Sequence, residues 1–157
     1  MDWNSQDSTV SFGHDIEASW LLMEAAEVLG DRDLKDDCAK VCERIARAAM
    51  EGYAYGAGMA YEYNPLDDSR DDDRHWWVQA ETVVGCRNMY QLTKDVFWIE
   101  AEQDEWQFIK DKLISPDGEW YWSRRADGSI NTDDDRAGFW KCPYHNGRMC
   151  MEIIERQ

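Results

Sequence analysis

The chain has 157 residues, with 17 Lys and Arg against 33 Asp and Glu, which leaves a formal net charge of −16 at pH 7. A protein this acidic lacks the basic face that phosphate contacts need, so nucleic acid and anionic membrane surfaces are poor partners. Hydrophobic residues make up 43% of the chain and nine residues are Trp, which argues against disorder and predicts one globular domain.

The start of the chain and its cysteines indicate a cytoplasmic protein. No apolar run approaches the roughly 18 residues that a membrane span needs. The acidic, polar start MDWNSQDSTV does not look like a leader, so we expect neither a signal peptide nor an anchor. An odd number of cysteines without a CxxC motif predicts free thiols in a reducing compartment. The cysteines are Cys38, Cys42, Cys86, Cys142 and Cys150.

The first part of the chain predicts an antiparallel pair of helices. Residues 14–29 are apolar on most sides and are followed by Gly30, which is typical of an inner helix that ends at a glycine. Residues 33–50 carry one apolar stripe and an otherwise charged surface, which is typical of an outer helix. Because only about three residues link them, the two helices must run antiparallel.

The rest of the chain repeats this alternation of inner and outer helices. Glycines, a proline and a dense acidic run predict a solvated loop over residues 56–74, without the Gly and Glu spacing of a calcium loop. The remaining predictions are an inner helix at 76–92, an outer helix at 94–113, a hairpin at 119–131 that turns at Asp127-Gly128, and a short final helix at 146–156. Helical hairpins of this kind stack as solenoids or close into α/α barrels, so we expect an all-α fold.

Three clusters could carry chemistry. His14 and Glu17 lie three residues apart on one helix face, so the carboxylate could hold the imidazole in one tautomer, although a capping or surface role is the simpler alternative. His145 lies among aromatic residues, a Pro and a Gly, which also fits a merely packed turn. The pair Trp76-Trp77 precedes Glu81, and we expect one of the two indoles to face a cavity.

Together these clusters favour a neutral carbohydrate ligand over a metal ion. Indole faces bind the apolar faces of sugars, carboxylates and imidazoles bind hydroxyl groups, and an acidic protein suits a neutral ligand. A metal site built from His14, Glu17, Glu81 and His145 is the competing hypothesis. The chain has no ligand-rich motif such as H-E-x-x-H, so we expect no metal.

Three segments, 12–22 (FGHDIEASWLL), 76–81 (WWVQAE) and 140–146 (WKCPYHN), resemble the cellobiose 2-epimerase family of the N-acylglucosamine 2-epimerase superfamily. The resemblance covers nearly the whole chain but only part of the family's closed (α/α)6 barrel. It implies that residues 1–157 form a single incomplete barrel domain from the C-terminal part of the catalytic domain. Five to six helices in antiparallel hairpins and a short β-hairpin would then make up this arc.

The resemblance also implies an isomerase of carbohydrate metabolism that needs no cofactor. Such an enzyme opens the reducing-end sugar of cellobiose, forms an enediolate and inverts C2, giving glucosyl-mannose. By resemblance, the catalytic residues are His14 and His145 as the acid/base pair, with Glu17 beside the first. Residues matching the lining of the sugar site are Trp20, Trp77, Glu81 and Trp140.

Further residues that the family uses, an Arg and another His, belong to the N-terminal half. We therefore expect this chain alone to be inactive and to associate with itself or with a complementing N-terminal half. The alternatives are an N-acylglucosamine 2-epimerase, an aldose–ketose isomerase of the same superfamily, or a non-catalytic sugar-binding or assembly fragment. His75 matches no family position, and we interpret it as a surface histidine.

Overall fold

The computed structural model describes residues 9–156, so most of the acidic start lies outside the described residues. Five helices dominate the chain: α1 (Phe12–Leu29), α2 (Arg32–Ala49), α3 (Trp76–Thr93), α4 (Val96–Phe108) and α5 (Tyr144–Glu155). A 3₁₀ turn at Met50–Gly52 extends α2, and a π turn at Ile109–Leu113 extends α4. No helix among residues 9–156 is long and apolar enough to cross a membrane.

The predicted alternation of inner and outer helices is present. Gly30 ends α1 in the left-handed region at φ 71°, and the side chain of Asp31 accepts a hydrogen bond from the backbone N–H of Leu34 to begin α2. Only Cys42, Ala46 and Ala49 are buried on α2, as expected for an outer helix. In contrast, 13 of the 18 residues of α3 are buried, so α3 is the central helix, with α1, α4 and α5 packed against it.

The prediction of a plain loop over residues 56–74 is wrong. Seven short strands among the described residues form three small antiparallel sheets. One strand precedes α1, five lie between α2 and α3, and one follows α4. The strands are β1 (Val10–Ser11), β2 (Tyr53–Ala54), β3 (Gly58–Met59), β4 (Glu62–Asn64), β5 (Ser69–Asp71), β6 (Arg74–His75) and β7 (Ser123–Arg124). The orders are β1-β4-β5, β2-β3 and β6-β7. Strands of two or three residues are too short to show an alternating pattern, so composition alone indicated a loop.

The predicted hairpin at 119–131 is present in part. Gly128 closes a turn onto the carbonyl of Arg125, and Arg124 bridges to Ile130. The register of β7 is set elsewhere, because Arg124 and Ser123 pair with Arg74 and His75 of β6. This pairing fastens the C-terminal part of the chain to the start of α3.

The acidic run before β6 makes local hydrogen bonds. Asp67 accepts from the backbone N–H and the hydroxyl of Ser69, and Asp71 accepts from the backbone N–H of Asp73. These carboxylates shape the turns of the small sheets. All five cysteines are free, as predicted.

Candidate active site

The N-terminal ends of α1, α3 and α5 surround a cleft with a volume of about 490 Å³. Eight side chains from different elements line it, and all eight are aromatic or imidazole groups. The lining residues are His14, Tyr61, His75, Trp76, Trp77, Trp122, Trp140 and His145. Four of the residues nominated from the sequence, His14, Trp77, Trp140 and His145, therefore lie around one cavity.

A buried ionic network lies behind His145. Its Nδ1 is 2.6 Å from Oε1 of Glu81, and since a carboxylate only accepts, Nδ1 carries the proton that is shared. The Nη2 atom of Arg148 donates to Glu81 at 2.6 Å and to Glu17 at 2.5 Å. Glu81 is 1% exposed, so its charge is balanced inside the protein by Arg148.

Trp20 is the third donor to Glu81. Its side chain is fully buried, and its indole N–H donates to Oε2 of Glu81 at 3.1 Å. The guanidinium of Arg148 lies 4.8 Å from the centre of the Trp20 ring and 4.4 Å from that of Tyr144. The sequence predicts Trp20 in the lining of the sugar site, whereas the structure places it behind Glu81, where it orients the carboxylate.

Two carboxylates hold Arg148 in its charged form. Burial lowers the pKa of its guanidinium, but the hydrogen bonds and charges of Glu17 and Glu81 outweigh that effect and raise the pKa above its usual value. Residues 145 and 148 are three apart, so α5 presents His145 and Arg148 on one face. The spacing of residues 145 and 148 can be read from the sequence and places both on one helix face. No neighbouring residue in the sequence, however, identifies the partners of Arg148.

His14 also contacts the Trp77 ring. The centres of the His14 and His145 rings are 4.7 Å and 5.5 Å from the centre of the Trp77 ring, so both imidazoles contact the same indole. Nδ1 of His14 contacts the hydroxyl of Ser11 at 2.8 Å, and Glu17 binds Arg148. The expected pairing of Glu17 with His14 is therefore replaced by two other contacts.

Both tryptophans at the start of α3 line the cleft, although the sequence predicted only one. They can do so because Trp76 follows β6 directly, and its backbone N–H bonds to the carbonyl of Trp122. Beneath Trp76 lies Lys141, whose ammonium is 5.4 Å from the ring centre and bonds to Glu119. Lys141 is 3% exposed and anchors the loop that carries Trp140, whose own side chain is 80% exposed.

The interpretation of His75 as a surface histidine is wrong. Its ring stacks on Tyr61 at 4.0 Å and meets the edge of Trp122, and all three line the cleft. Burial lowers its pKa, partly offset by the charges of Asp71, Asp73 and Asp134. His75, Tyr61 and Trp122 come from separate strands and loops, so no sequence motif joins them.

A metal ion at this site would need the carboxylate oxygens that Arg148 binds. Glu17, Glu81 and His145 offer ligand atoms within 4.8 Å of one another, and His14 lies outside this group. The guanidinium of Arg148 already bonds to both carboxylates. A fixed positive charge therefore takes the position in which a cation would be useful.

Comparisons with known proteins agree on one family. The model of the N-acylglucosamine 2-epimerase (GlcNAc 2-epimerase) family matches residues 1–147. A cellobiose 2-epimerase of Bacteroides fragilis is 55% identical over 154 residues, covering 98% of this chain and 39% of that enzyme. A more distant relative is a D-mannose isomerase of Marinomonas mediterranea, 29% identical over 100 residues, covering 62% of this chain and 25% of the isomerase.

A solved structure of a sugar epimerase from a ruminal bacterium superposes with a TM-score of 0.91 and 40% identity. The match covers 98% of this chain and 39% of that structure. The predicted fold is confirmed: the five helices form part of an (α/α)6 barrel. The chain spans about two fifths of the length of the relatives it matches.

Proposed function

Since the chain belongs to the N-acylglucosamine 2-epimerase family, we propose that it carries part of the active site of a sugar 2-epimerase acting on the reducing end of cellobiose. The observation that supports this most strongly is the pair of imidazoles in one cleft, both in contact with Trp77 and one of them held by Glu81. Epimerisation at C2 needs a group on each face of the sugar.

The chemistry begins with the open-chain aldehyde. One imidazole takes the C2 proton, and the electrons of the C–H bond move to the carbonyl to form an enediolate. The other imidazole returns a proton to the opposite face of C2. An imidazole suits both steps because its usual pKa is near 6.5, so it can accept a proton in its neutral form and return one in its protonated form.

The ionic network prepares His145 for this role. Glu81 accepts the Nδ1 proton, which leaves Nε2 unprotonated and able to accept a proton from the substrate. Arg148 donates to the same oxygen of Glu81 as His145 does, and Trp20 donates to the second oxygen. In this proposal Glu81, Arg148 and Trp20 are positioning residues.

The cleft fits a neutral saccharide. Trp76, Trp77, Trp122 and Trp140 offer apolar faces to the sugar rings, and His14, His75 and His145 can bind hydroxyl groups. The groups that assist ring opening belong to the remainder of the barrel by resemblance. For this reason we expect the 157-residue chain alone to give no product above background.

The test is a chimera in which this chain replaces its matching segment in the Bacteroides fragilis enzyme. The chimera should convert cellobiose to glucosyl-mannose. His145→Asn should lower kcat by about 10²-fold to 10⁴-fold, the usual contribution of a general acid or base. Glu81→Gln should lower kcat by about 10²-fold because the Nδ1 proton loses its charged acceptor.

The control is Glu100→Gln, which removes one carboxylate from an exposed position on α4 and should leave kcat unchanged. Assays with N-acetylglucosamine and with mannose separate the alternatives in the same superfamily, and the D-mannose isomerase relative makes the mannose assay necessary. A folded chimera that turns over none of the three sugars would contradict the proposal and favour a non-catalytic sugar-binding or assembly fragment.

A further inference from the structure

A second cleft, of about 340 Å³, lies on the other side of the β6–β7 ribbon. Side chains alternate between the two faces of a strand, so Arg74 and Arg124 project away from the face that bears their neighbours His75 and Ser123. His75 belongs to the sugar cleft, whereas Arg74 and Arg124 line the second cleft. The two clefts therefore share a ribbon but none of their lining residues.

Two arginines lie opposite each other on this ribbon. Arg74 and Arg124 are directly opposite in the antiparallel register, which brings their Cβ atoms within about 4.5–5.5 Å. Like charges in such a pair destabilise a sheet unless a counter-charge lies between them. The ribbon thus places two positive groups where an anion would relieve their repulsion.

The hydrogen bonds of these guanidiniums orient them without cancelling their charge. Nε of Arg74 donates to the carbonyl of Ala57, and Nε and Nη1 of Arg124 donate to the carbonyls of Lys112 and Gly128. Carbonyl groups are neutral acceptors, so these bonds hold each fork in place without pairing its charge. Among the described residues, neither Nη2 atom has a hydrogen-bond partner.

The remaining charges of the cleft leave it positive. Lys112 and Arg125 add two cations, against the carboxylates of Asp72 and Asp111. Asp72 lies 3.6 Å from Arg74 and is shared with Arg70, which is outside the cleft, and Arg125 is paired with Asp133. With Asp133 counted, four cations lie against three carboxylates, a local exception in a chain with a net charge of −16.

We propose that this cleft binds a small phosphate-bearing anion. Guanidinium forks match the geometry of phosphate oxygens and bind them through two parallel N–H bonds. The volume exceeds that of inorganic phosphate, so a phosphate ester with a small organic group also fits. This site is separate from the sugar cleft and does not depend on the proposed epimerase activity.

Calorimetric titration of the 157-residue chain at low ionic strength, with inorganic phosphate and with glucose 6-phosphate as separate probes, tests the proposal. We expect saturable one-to-one binding that sulfate displaces. Arg124→Gln and Lys112→Gln should each weaken binding about tenfold, the effect of losing one charge-assisted hydrogen bond or its equivalent. Tighter binding of glucose 6-phosphate would identify an ester as the ligand, and equal affinities would identify free phosphate.

Lys40→Gln is the matched control, because it removes one cation from an exposed position on α2 outside the cleft and should leave affinity unchanged. Lys112 is exposed, so its variant remains informative if Arg124→Gln does not fold. Absence of saturable binding of both probes, or equal weakening in the Lys40 variant, would overturn the proposal.

Discussion

Two buried glutamates show how surroundings decide what a carboxylate does. Glu81 is 1% exposed and accepts hydrogen bonds from Trp20, His145 and Arg148. Glu105 is fully buried on α4, and neither of its oxygens has a hydrogen-bond partner among the described residues. Both oxygens of Glu81 therefore have donors, whereas ionisation of Glu105 would place an unpaired charge in the core.

Glu105 should make the protein less stable as the pH rises. Burial and the nearby charge of Asp104 raise its pKa well above the usual value, and the charge of Arg74 offsets only part of this. With the folded pKa above the unfolded one, the stabilising contribution is complete below the unfolded pKa and is lost as pH rises through the folded pKa. The free energy of unfolding of Glu105→Gln should therefore exceed that of wild type at about pH 8, by about 1.4 kcal/mol for each unit by which the folded pKa is raised. At about pH 5 the two free energies should differ less.

Urea unfolding at the two pH values measures this difference directly. Glu100→Gln, on the exposed side of the same helix, should leave the pH dependence of wild type unchanged. A Glu105→Gln protein with the same pH dependence as wild type would show that Glu105 is not the group responsible.

At the scale of elements, close helix packing depends on glycine. A Cβ atom added at Gly85 of α3 would lie 2.5 Å from Cγ1 and 2.8 Å from Cδ1 of Ile16, which is fully buried on α1. A Cβ added at Gly147 of α5 would meet nothing within 4 Å. Gly85 and Gly147, both inside helices, thus form a natural pair for comparison.

Gly85→Ala should destabilise the protein and Gly147→Ala should stabilise it. Alanine gains up to about 1 kcal/mol over glycine inside a helix. At Gly85 this gain is opposed by overpacking against Ile16, which costs about 1–3 kcal/mol, while at Gly147 nothing opposes it. Thermal unfolding should give a lower midpoint temperature than wild type for Gly85→Ala and a higher one for Gly147→Ala. A stabilised Gly85→Ala protein would show that α1 and α3 can separate without cost.

At the scale of the whole molecule, the chain is an arc with apolar edges. Inner helices α1 and α5 both pack against α3, and each presents exposed apolar side chains on its outer side. On α1 these include Val28 and Leu29, at 88% and 69% exposure, and on α5 they include Met151 and Ile154, at 60% and 68%. Large apolar side chains this exposed on both inner helices indicate surfaces for interaction.

We expect the isolated 157-residue chain to associate with itself through these edges. Leu29→Glu together with Ile154→Glu should shift the species in sedimentation velocity toward the 18.4 kDa monomer, because a charge cannot be buried unpaired in the contact. Val41→Glu, on the outer helix α2, should leave the distribution unchanged. A wild-type chain that is monomeric at all concentrations would contradict this expectation.

Prediction from sequence succeeded for the helices because helical signals are local. The apolar period and the glycine at position 30 marked α1, and the stripe on α2 showed its single buried face, without knowledge of any partner. The short strands and the lining positions of Tyr61 and Trp122 were missed, since each depends on pairing with a distant segment.

The sequence by itself determined the helical order, the inner and outer faces and the two histidine motifs, because these depend on residues within a few turns. Only the tertiary structure decided the partners of Glu81, which lie 61, 64 and 67 residues away along the chain. The tertiary structure also places Arg148 as the counter-charge of Glu81, and it buries Trp20 behind the same carboxylate. Buried charges need donors from whichever element packs beside them, and no local pattern records that choice.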